Sequence, residues 1–239
     1  MTRLLDANSQ DGISPEFSVS VAMLDRISPS GDRGGMVIGR GPKNEPLSLS
    51  IVRPAPTRVI SVGGLYMARQ LAMRAMATGA WVFIATARLA AWQVLERAAG
   101  QQPGSPQTRA VQIRRLNPIE LPRATEEAPL LVLHDGGSTP QELFPPRGPW
   151  QTTVYVLPYL HPQVSQIAGT ADLTLLQRLP LGQAQLAGRI WRLHPRLVQQ
   201  LTMLKDDQVL ALGRGLGVTF QLVTTNRERQ ILGPVRRGD

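Results

Sequence analysis

The sequence predicts an α/β fold, in which a Rossmann-like, mostly parallel and doubly wound sheet follows a small antiparallel β subdomain. Three observations lead to this prediction. Residues 57–86 contain the patterns of a buried strand, a glycine turn, an amphipathic helix and a second buried strand, which together make a βαβ unit. After this unit, strand and helix patterns keep alternating, as a doubly wound sheet requires. Before it, short apolar stretches alternate with serine, a period typical of antiparallel strands.

The N-terminal part of the chain predicts a small domain of its own. Residues 1–14 are polar, and we expect a flexible N-terminus there. Apolar residues alternate with serines at 17–21 and again at 47–51, and Met36–Ile38 suits a short third strand. We therefore predict a small antiparallel β subdomain over residues 15–52.

The βαβ unit opens the second predicted domain, residues 57–239, after a boundary that two prolines stiffen. Its first strand is rich in β-branched residues, as a strand covered on both faces should be. Its helix has one apolar stripe and carries Arg69, Gln70 and Arg74 on the predicted outer face. Because crossovers between parallel strands are right-handed, this unit predicts a parallel Rossmann-like sheet.

The rest of the second domain continues the alternation of strands and helices. Further strands are predicted at 109–115, 130–133, 152–158 and 172–178, with a closing hairpin at 209–223. Helices are predicted at 89–100, from 139 onward, and at 162–168, 180–193, 195–204 and 225–232. The last of these begins with a capping box.

Composition and charge argue against several kinds of site. The chain has no cysteine and its three histidines lie far apart, so we predict no metal site and no cofactor. The net charge is +9, but the basic residues are scattered and no aromatic residues interleave with them, so we predict no nucleic-acid partner. No window approaches the ~18 apolar residues of a transmembrane helix. We expect a cytoplasmic protein.

The turn Gly63-Gly64 lies between a strand and a helix, which is the position of a phosphate-binding turn. The surrounding sequence VGGLYMA lacks the later glycines of GxGxxG, and it also lacks the Lys and Ser/Thr of GxxxxGK[ST]. We therefore interpret the glycine pair as a tight entry into the helix.

Asp135 follows four apolar residues and a histidine, where the metal-organising acid of a P-loop ATPase stands at a strand end. Without a phosphate loop, we interpret it as a turn residue. The alternative hypothesis is a nucleotide or nucleotide-sugar binding α/β protein, a degenerate glycosyltransferase- or NTPase-like one. Its site would include Gly63, Gly64 and Asp135, with Arg58 or Arg88 as phosphate partners.

Several stretches of the chain resemble a known family. They are RVISVGGLYMARQLAMRAMATGAWVFIATARLAAWQ, WQTTVYVLPYL followed by ADLTLLQRLPLGQAQLAG, then LKDDQVLAL and a closing RERQILGP. Together they resemble the cytosolic domain of EccE-type components of actinobacterial type VII (ESX) secretion systems. The similarity covers residues 53–234.

The resemblance implies a non-enzymatic structural or interaction component of a type VII secretion machine, with no catalytic residues. Its partners would be other subunits of a membrane-embedded secretion complex. The chain would lie in the cytoplasm, peripheral to the membrane and in contact with it only indirectly. EccE-type proteins usually carry N-terminal membrane helices, whereas this sequence shows none.

Overall fold

One ten-stranded sheet runs through the part of the chain that the structure describes. This computed structural model describes residues 35–50, 53–100, 110–116, 121–137, 148–213 and 216–235, all of which fall in one compact unit, Gly31–Asp239. The strands are β1 (Met36–Arg40), β2 (Pro46–Leu49), β3 (Thr57–Val62), β4 (Trp81–Thr86), β5 (Val111–Arg114), β6 (Leu130–Asp135), β7 (Gln151–Leu157), β8 (Leu173–Leu176), β9 (Gln208–Gly213) and β10 (Leu216–Leu222).

Six α-helices occur in the described residues, together with one 3₁₀ turn at Pro162–Val164. They are α1 (Leu65–Ala77), α2 (Leu89–Ala98), α3 (Ser165–Ala168), α4 (Leu181–Trp191), α5 (Pro195–Met203) and α6 (Asn226–Leu232). Within the described ranges, none of these helices combines the length and the apolar character that crossing a membrane requires. The helix predicted from residue 139 onward lies outside those ranges.

The order of the strands confirms an α/β fold with a mostly parallel sheet. From edge to edge the order is β2-β1-β10-β9-β8-β3-β7-β6-β4-β5. The six strands from β8 to β5 are parallel to one another. The four remaining strands are antiparallel to their neighbours, and β9 with β10 forms the predicted hairpin.

Helices cover both faces of the sheet, as a doubly wound fold requires. All six residues of β3 are buried, and alternate side chains enter different cores. Val59 belongs to the core under α1 and α2, whereas Ile60 and Val62 belong to the core under α3, α4 and α5. This is why β3 carries apolar residues on both faces: a parallel strand with helices on each side exposes neither face to water.

The two N-terminal strands differ from the predicted subdomain at 15–52. β1 and β2 pair antiparallel, as expected, but β1 also pairs with β10, so both strands form one edge of the main sheet. Gly39 permits this joint, because a Cβ there would lie 2.3 Å from the Gln221 carbonyl oxygen. The predicted boundary therefore does not separate two sheets. The strand predicted at 17–21 and the N-terminus at 1–14 lie outside the described residues.

The outer face of α1 also differs from the prediction. Gln70 and Arg74 were expected to face solvent, but the C-terminal helix α6 covers them. The carboxylate of Glu228, which is only 5% exposed, accepts hydrogen bonds from Arg74 Nε at 2.6 Å and from Gln70 Nε2 at 3.3 Å. The local periodicity of α1 could not show this, because its partner lies more than 150 residues further along the chain.

The cluster of Gln70, Arg74 and Glu228 joins three separate elements. The predicted capping box at the start of α6 is present, with Thr225 Oγ1 accepting from the Glu228 backbone N–H at 3.1 Å. The Arg74 guanidinium donates in addition to the backbone carbonyls of Val37 in β1 and Val223 just after β10. One largely buried side chain therefore connects α1, α6 and the antiparallel edge of the sheet.

We predict that Glu228→Ala destabilises the protein by about 3 kcal/mol, because it leaves a largely buried guanidinium without its counter-charge. The free energy of unfolding from urea denaturation measures this loss. Glu126→Ala is the matched control, since Glu126 is exposed, and a surface substitution of this kind changes stability by about 0.5 kcal/mol or less. Equal effects of the two variants would contradict the structural role of Glu228.

The same carboxylate should make stability depend on pH. Burial by itself raises the pKa of Glu228, but hydrogen bonds from Arg74 and from the Thr225 backbone outweigh it and hold that pKa below its ordinary value. A lowered pKa in the folded state stabilises the protein above the unfolded value of about 4.3, and this contribution is lost as the pH falls through the folded value. The stability difference between the wild type and Glu228→Gln should therefore shrink on acidification. A stability difference between these two proteins that stays constant with pH would contradict the lowered pKa of Glu228.

Candidate functional site

The turn between β3 and α1 consists of Gly63 and Gly64 alone. The Gly63 N–H donates to the carbonyl of Leu157 at 2.9 Å, which continues the pairing of β3 with β7. Gly63 has φ +131°, a backbone conformation that residues with a side chain rarely adopt. The chain therefore enters α1 directly from the end of the strand, with a turn of two residues instead of a long phosphate-binding loop.

The side chain of Gln177, which follows the neighbouring strand β8, fills this turn. The Gln177 N–H donates to the carbonyl of Val62 at 3.1 Å, which places Gln177 beside the turn, just after β8. Its Oε1 then accepts a hydrogen bond from the Gly64 N–H at 2.7 Å. A Cβ on Gly63 would lie 2.2 Å from the same oxygen. The amide that a phosphate would use at a helix N-terminus is thus bound to a buried carboxamide.

The first turn of α1 carries apolar and phenolic side chains. Leu65, Tyr66 and Met67 are each 2% exposed or less. The Tyr66 hydroxyl lies 3.2 Å from Thr224 Oγ1 and donates to it, and burial raises the pKa of this phenol. These residues occupy the places where a P-loop has the lysine and the hydroxyl that hold phosphate and magnesium.

Asp135 is the last residue of β6 and is 1% exposed. Its carboxylate accepts hydrogen bonds from Thr86 Oγ1 at 2.7 Å, Trp92 Nε1 at 2.8 Å and Arg88 Nη2 at 2.6 Å. The sequence interpretation of Asp135 as a turn residue therefore missed its role as the centre of a buried polar network. Arg88 and Trp92 are four residues apart, a spacing that places two side chains on one helical face, and this was the available signal.

Arg88 links this network to solvent. It follows β4, and its side chain is 37% exposed although its guanidinium pairs with the fully buried carboxylate of Asp135. Asp135 ends β6, which is two strands from β3 in the sheet. At the usual strand spacing, Asp135 lies roughly 10 Å from β3 across the sheet. In the register of the strands it is level with Ser61, and the Gly63-Gly64 turn begins two residues further along. We call the group Gly63, Gly64, Arg88, Asp135 and Gln177 the carboxyl-edge site.

Arg58 does not belong to the carboxyl-edge site. It is near the amino end of β3, where its backbone N–H donates to Asp172 Oδ2 at 2.9 Å and its Nη1 donates to Thr170 Oγ1 at 3.0 Å. Because parallel strands present opposite ends at opposite edges of a sheet, Arg58 and Gly63 are separated by the length of β3. The expectation that Arg58 contacts a phosphate at Gly63 is therefore wrong, and of the two arginines only Arg88 is placed for that role.

Comparison with known proteins adds information on the fold. No family model and no curated protein matches the chain. Among solved structures, VirB4 of Thermoanaerobacter pseudethanolicus is similar with a TM-score of 0.57 at 9% identity, over 83% of this chain and 99% of that one. B204, the DNA-packaging ATPase from Sulfolobus turreted icosahedral virus, is similar with a TM-score of 0.51 at 8% identity, over 72% of this chain and 100% of that one.

These likenesses correct the functional prediction. At such low identity they establish a shared fold, and that fold includes a DNA-packaging ATPase. The description Rossmann-like is therefore correct only coarsely, because the α/β fold of the chain is similar to the folds of VirB4 and of a DNA-packaging ATPase. The prediction of a non-enzymatic structural component of a type VII secretion machine is contradicted, as is the prediction that the chain is not an enzyme. The resemblance to EccE-type sequences stays a prediction.

We predict that Asp135→Ala lowers the free energy of unfolding by about 3 kcal/mol, because it removes a fully buried carboxylate that pairs with the partly exposed Arg88 and accepts a hydrogen bond from Thr86. It also leaves the Trp92 N–H without its acceptor. Asp206→Ala is the matched control, since Asp206 forms an ion pair of similar length with Arg178, but both side chains are at least one-third exposed. That variant should lose about 1 kcal/mol or less. Urea denaturation distinguishes the two, and equal losses would exclude a buried network at Asp135.

Proposed function

We propose that the protein is a nucleotide-binding protein of NTPase-like fold and that the carboxyl-edge site takes the nucleotide phosphates. The observation that carries the proposal is the placement of three features at one edge of an ATPase-like sheet. These are the strand–glycine turn–helix at Gly63-Gly64, the strand-end acid Asp135 and the half-exposed cation Arg88. In open α/β sheets, ligands bind at this carboxyl edge of the strands.

Arg88 supplies the positive charge that the turn lacks. Its guanidinium is held in place by Asp135, with Nη2 at 2.6 Å and Nε at 3.2 Å from the carboxylate oxygens. An anchored guanidinium loses less side-chain entropy when it binds an anion than a freely moving one does. The planar fork of arginine also matches the oxygens of a phosphate better than a point charge. Arg88 therefore takes the role that the P-loop lysine has elsewhere.

Because of Gln177, nucleotide binding at the turn requires the loss of an internal hydrogen bond. Its carboxamide accepts the Gly64 N–H that a phosphate oxygen would otherwise accept. A nucleotide must displace this oxygen before the N-terminus of α1 can contribute to phosphate binding. The ligand therefore competes with the Gln177 carboxamide for the Gly64 N–H. The free-energy cost of this competition is the strength of that one hydrogen bond.

Association with other subunits of a secretion complex, in the cytoplasm and peripheral to the membrane, is a further part of the proposal. The likeness of the fold to VirB4 supports it. Copurification of an affinity-tagged chain from its native host tests this part separately, because it does not depend on nucleotide binding.

We predict that ATP or GTP with Mg²⁺ raises the melting temperature, and that Gln177→Ala binds the nucleotide about fivefold more tightly than the wild type does. The fivefold gain corresponds to one hydrogen bond of about 1 kcal/mol that the ligand no longer has to break. At about 100 times the dissociation constant, ligand binding should stabilise the protein by about 2.7 kcal/mol, or roughly 5–10 °C. Thermal-shift screening with nucleoside triphosphates, diphosphates and nucleotide sugars, followed by calorimetric titration, measures both effects.

Gln183→Ala is the matched control for Gln177→Ala. The Gln183 carboxamide also accepts a backbone N–H, from Leu160 at 2.6 Å, and its amide group donates to the Leu160 carbonyl instead of bonding to the Gly63-Gly64 turn. Its loss should lower stability without changing nucleotide affinity. Phosphate release should be measured in the same samples, with Asp135→Asn to assign any turnover to this site. If no nucleotide shifts either the wild type or Gln177→Ala, the proposed function is wrong.

A further inference from the structure

A second cleft lies at the opposite edge of the parallel strands from the carboxyl-edge site. Its volume is ≈ 490 Å³, within the range of small-molecule pockets. It lies between the α4–α5 turn and the residues that end β9 and begin β10, and it reaches Thr174 near the amino end of β8. Gln177, by contrast, follows the carboxyl end of the same strand. The cleft is therefore independent of the proposed nucleotide site.

The lining of this cleft combines apolar side chains with polar side chains that can donate hydrogen bonds. Leu193, Leu197 and Leu212 are among the apolar residues that line it. The polar lining includes Arg192 and His194. His194 Nδ1 accepts the backbone N–H of Arg196 at 3.2 Å, so in the neutral imidazole the proton is on Nε2 and that nitrogen is a donor.

Arg192 is the permanent cation of the cleft lining. Its side chain forms no ion pair or hydrogen bond with any residue that the structure describes, and it is exposed. The residue ends α4 in the left-handed conformation, with φ +53°, where glycine is the residue that helices usually prefer. The backbone at this position thus adopts a conformation that is unfavourable for arginine. The Arg192 guanidinium lies at the mouth of the cleft.

The surrounding sequence strengthens the positive potential. No Asp or Glu occurs between Leu173 and Lys205, whereas this segment contains four arginines and the terminal lysine. The two acids that border this segment, Asp172 and Asp206, pair with Arg53 and Arg178 and not with Arg192. A positive potential at the mouth of a cleft concentrates anionic ligands there.

The structure fixes the walls of the cleft firmly. A Cβ on Gly188 of α4 would lie 2.7 Å from Val198 Cγ2 of α5, so the two helices are in close contact. Gln200 Nε2 on α5 donates to Thr219 Oγ1 on β10 at 3.0 Å. The two sides of the cleft thus belong to packed elements that hold each other in place, as a preformed pocket requires.

We infer that this cleft binds a small molecule with an apolar body and a single carboxylate. The leucines contact the apolar body, and the guanidinium of Arg192 with Nε2 of His194 bind the carboxylate. One permanent cation matches the charge of one carboxylate. The planar arginine fork matches the two oxygens of a carboxylate.

Sodium octanoate is the probe, phenylacetate is a second carboxylate of different shape, and 1-octanol is the uncharged counterpart of octanoate. At least one of the two carboxylates should bind about tenfold more tightly than 1-octanol does, because only a carboxylate pairs with Arg192. Calorimetric titration gives the affinities. Trp191 lines the cleft, so the fluorescence change on binding should disappear in Trp191→Phe, although the other tryptophans are retained.

Arg192→Gly is the decisive variant, because glycine favours the left-handed conformation at this position and the fold should be retained or strengthened. Its carboxylate affinity should fall about tenfold while its affinity for 1-octanol is unchanged. Arg196→Ala, an exposed arginine of α5 that does not line the cleft, should bind like the wild type. Binding of both carboxylates no tighter than that of 1-octanol, or no loss of carboxylate affinity in Arg192→Gly, would each overturn the inference.

Discussion

The burial of β3 on both faces is the constraint on which the rest of the structure depends. β3 pairs in parallel with β7 on one side and with β8 on the other, and none of its residues is exposed. A strand in that position needs helices on both faces, because its two sets of side chains enter separate cores. The crossover helices α1 and α2 cover one face, and α3, α4 and α5 cover the other. The edge at which β3 ends is then the place where several strand ends and a helix N-terminus meet.

The turn amide and the strand-end acid at that edge differ from those of a P-loop phosphate-binding site in their hydrogen-bond partners. The fold is shared with a DNA-packaging ATPase. However, the Gly63-Gly64 turn is short, and the Gly64 N–H is already hydrogen-bonded to Gln177. The strand-end acid Asp135 is bound to an arginine, a tryptophan and a threonine of its own chain. Both groups are thus satisfied internally. A ligand at this edge must replace intramolecular hydrogen bonds. Its affinity is therefore set by the free energy of its own contacts less that of the internal hydrogen bonds that it replaces.

The antiparallel side of the sheet depends on a second buried charge. Arg74 of α1 pairs with Glu228 of α6 and also bonds to carbonyl oxygens beside β1 and β10. A guanidinium has enough donors to contact three elements at once, which an aliphatic side chain could not do. The C-terminal helix and the N-terminal strand pair are therefore stabilised through the same helix that follows the Gly63-Gly64 turn.

The sequence by itself determined the alternation of strands and helices, the βαβ unit, the hairpin and the capping box of α6. These features follow from periodicity and from residues a few positions apart, where side-chain direction is fixed by local geometry. Only the tertiary structure decided that Gln177 fills the turn, that Gln70 is buried, that Asp172 holds the Arg58 backbone and that β1 joins β10. Each of these depends on a partner more than 100 residues away. Local patterns carry no information on such pairs, because the order of strands in the sheet sets them.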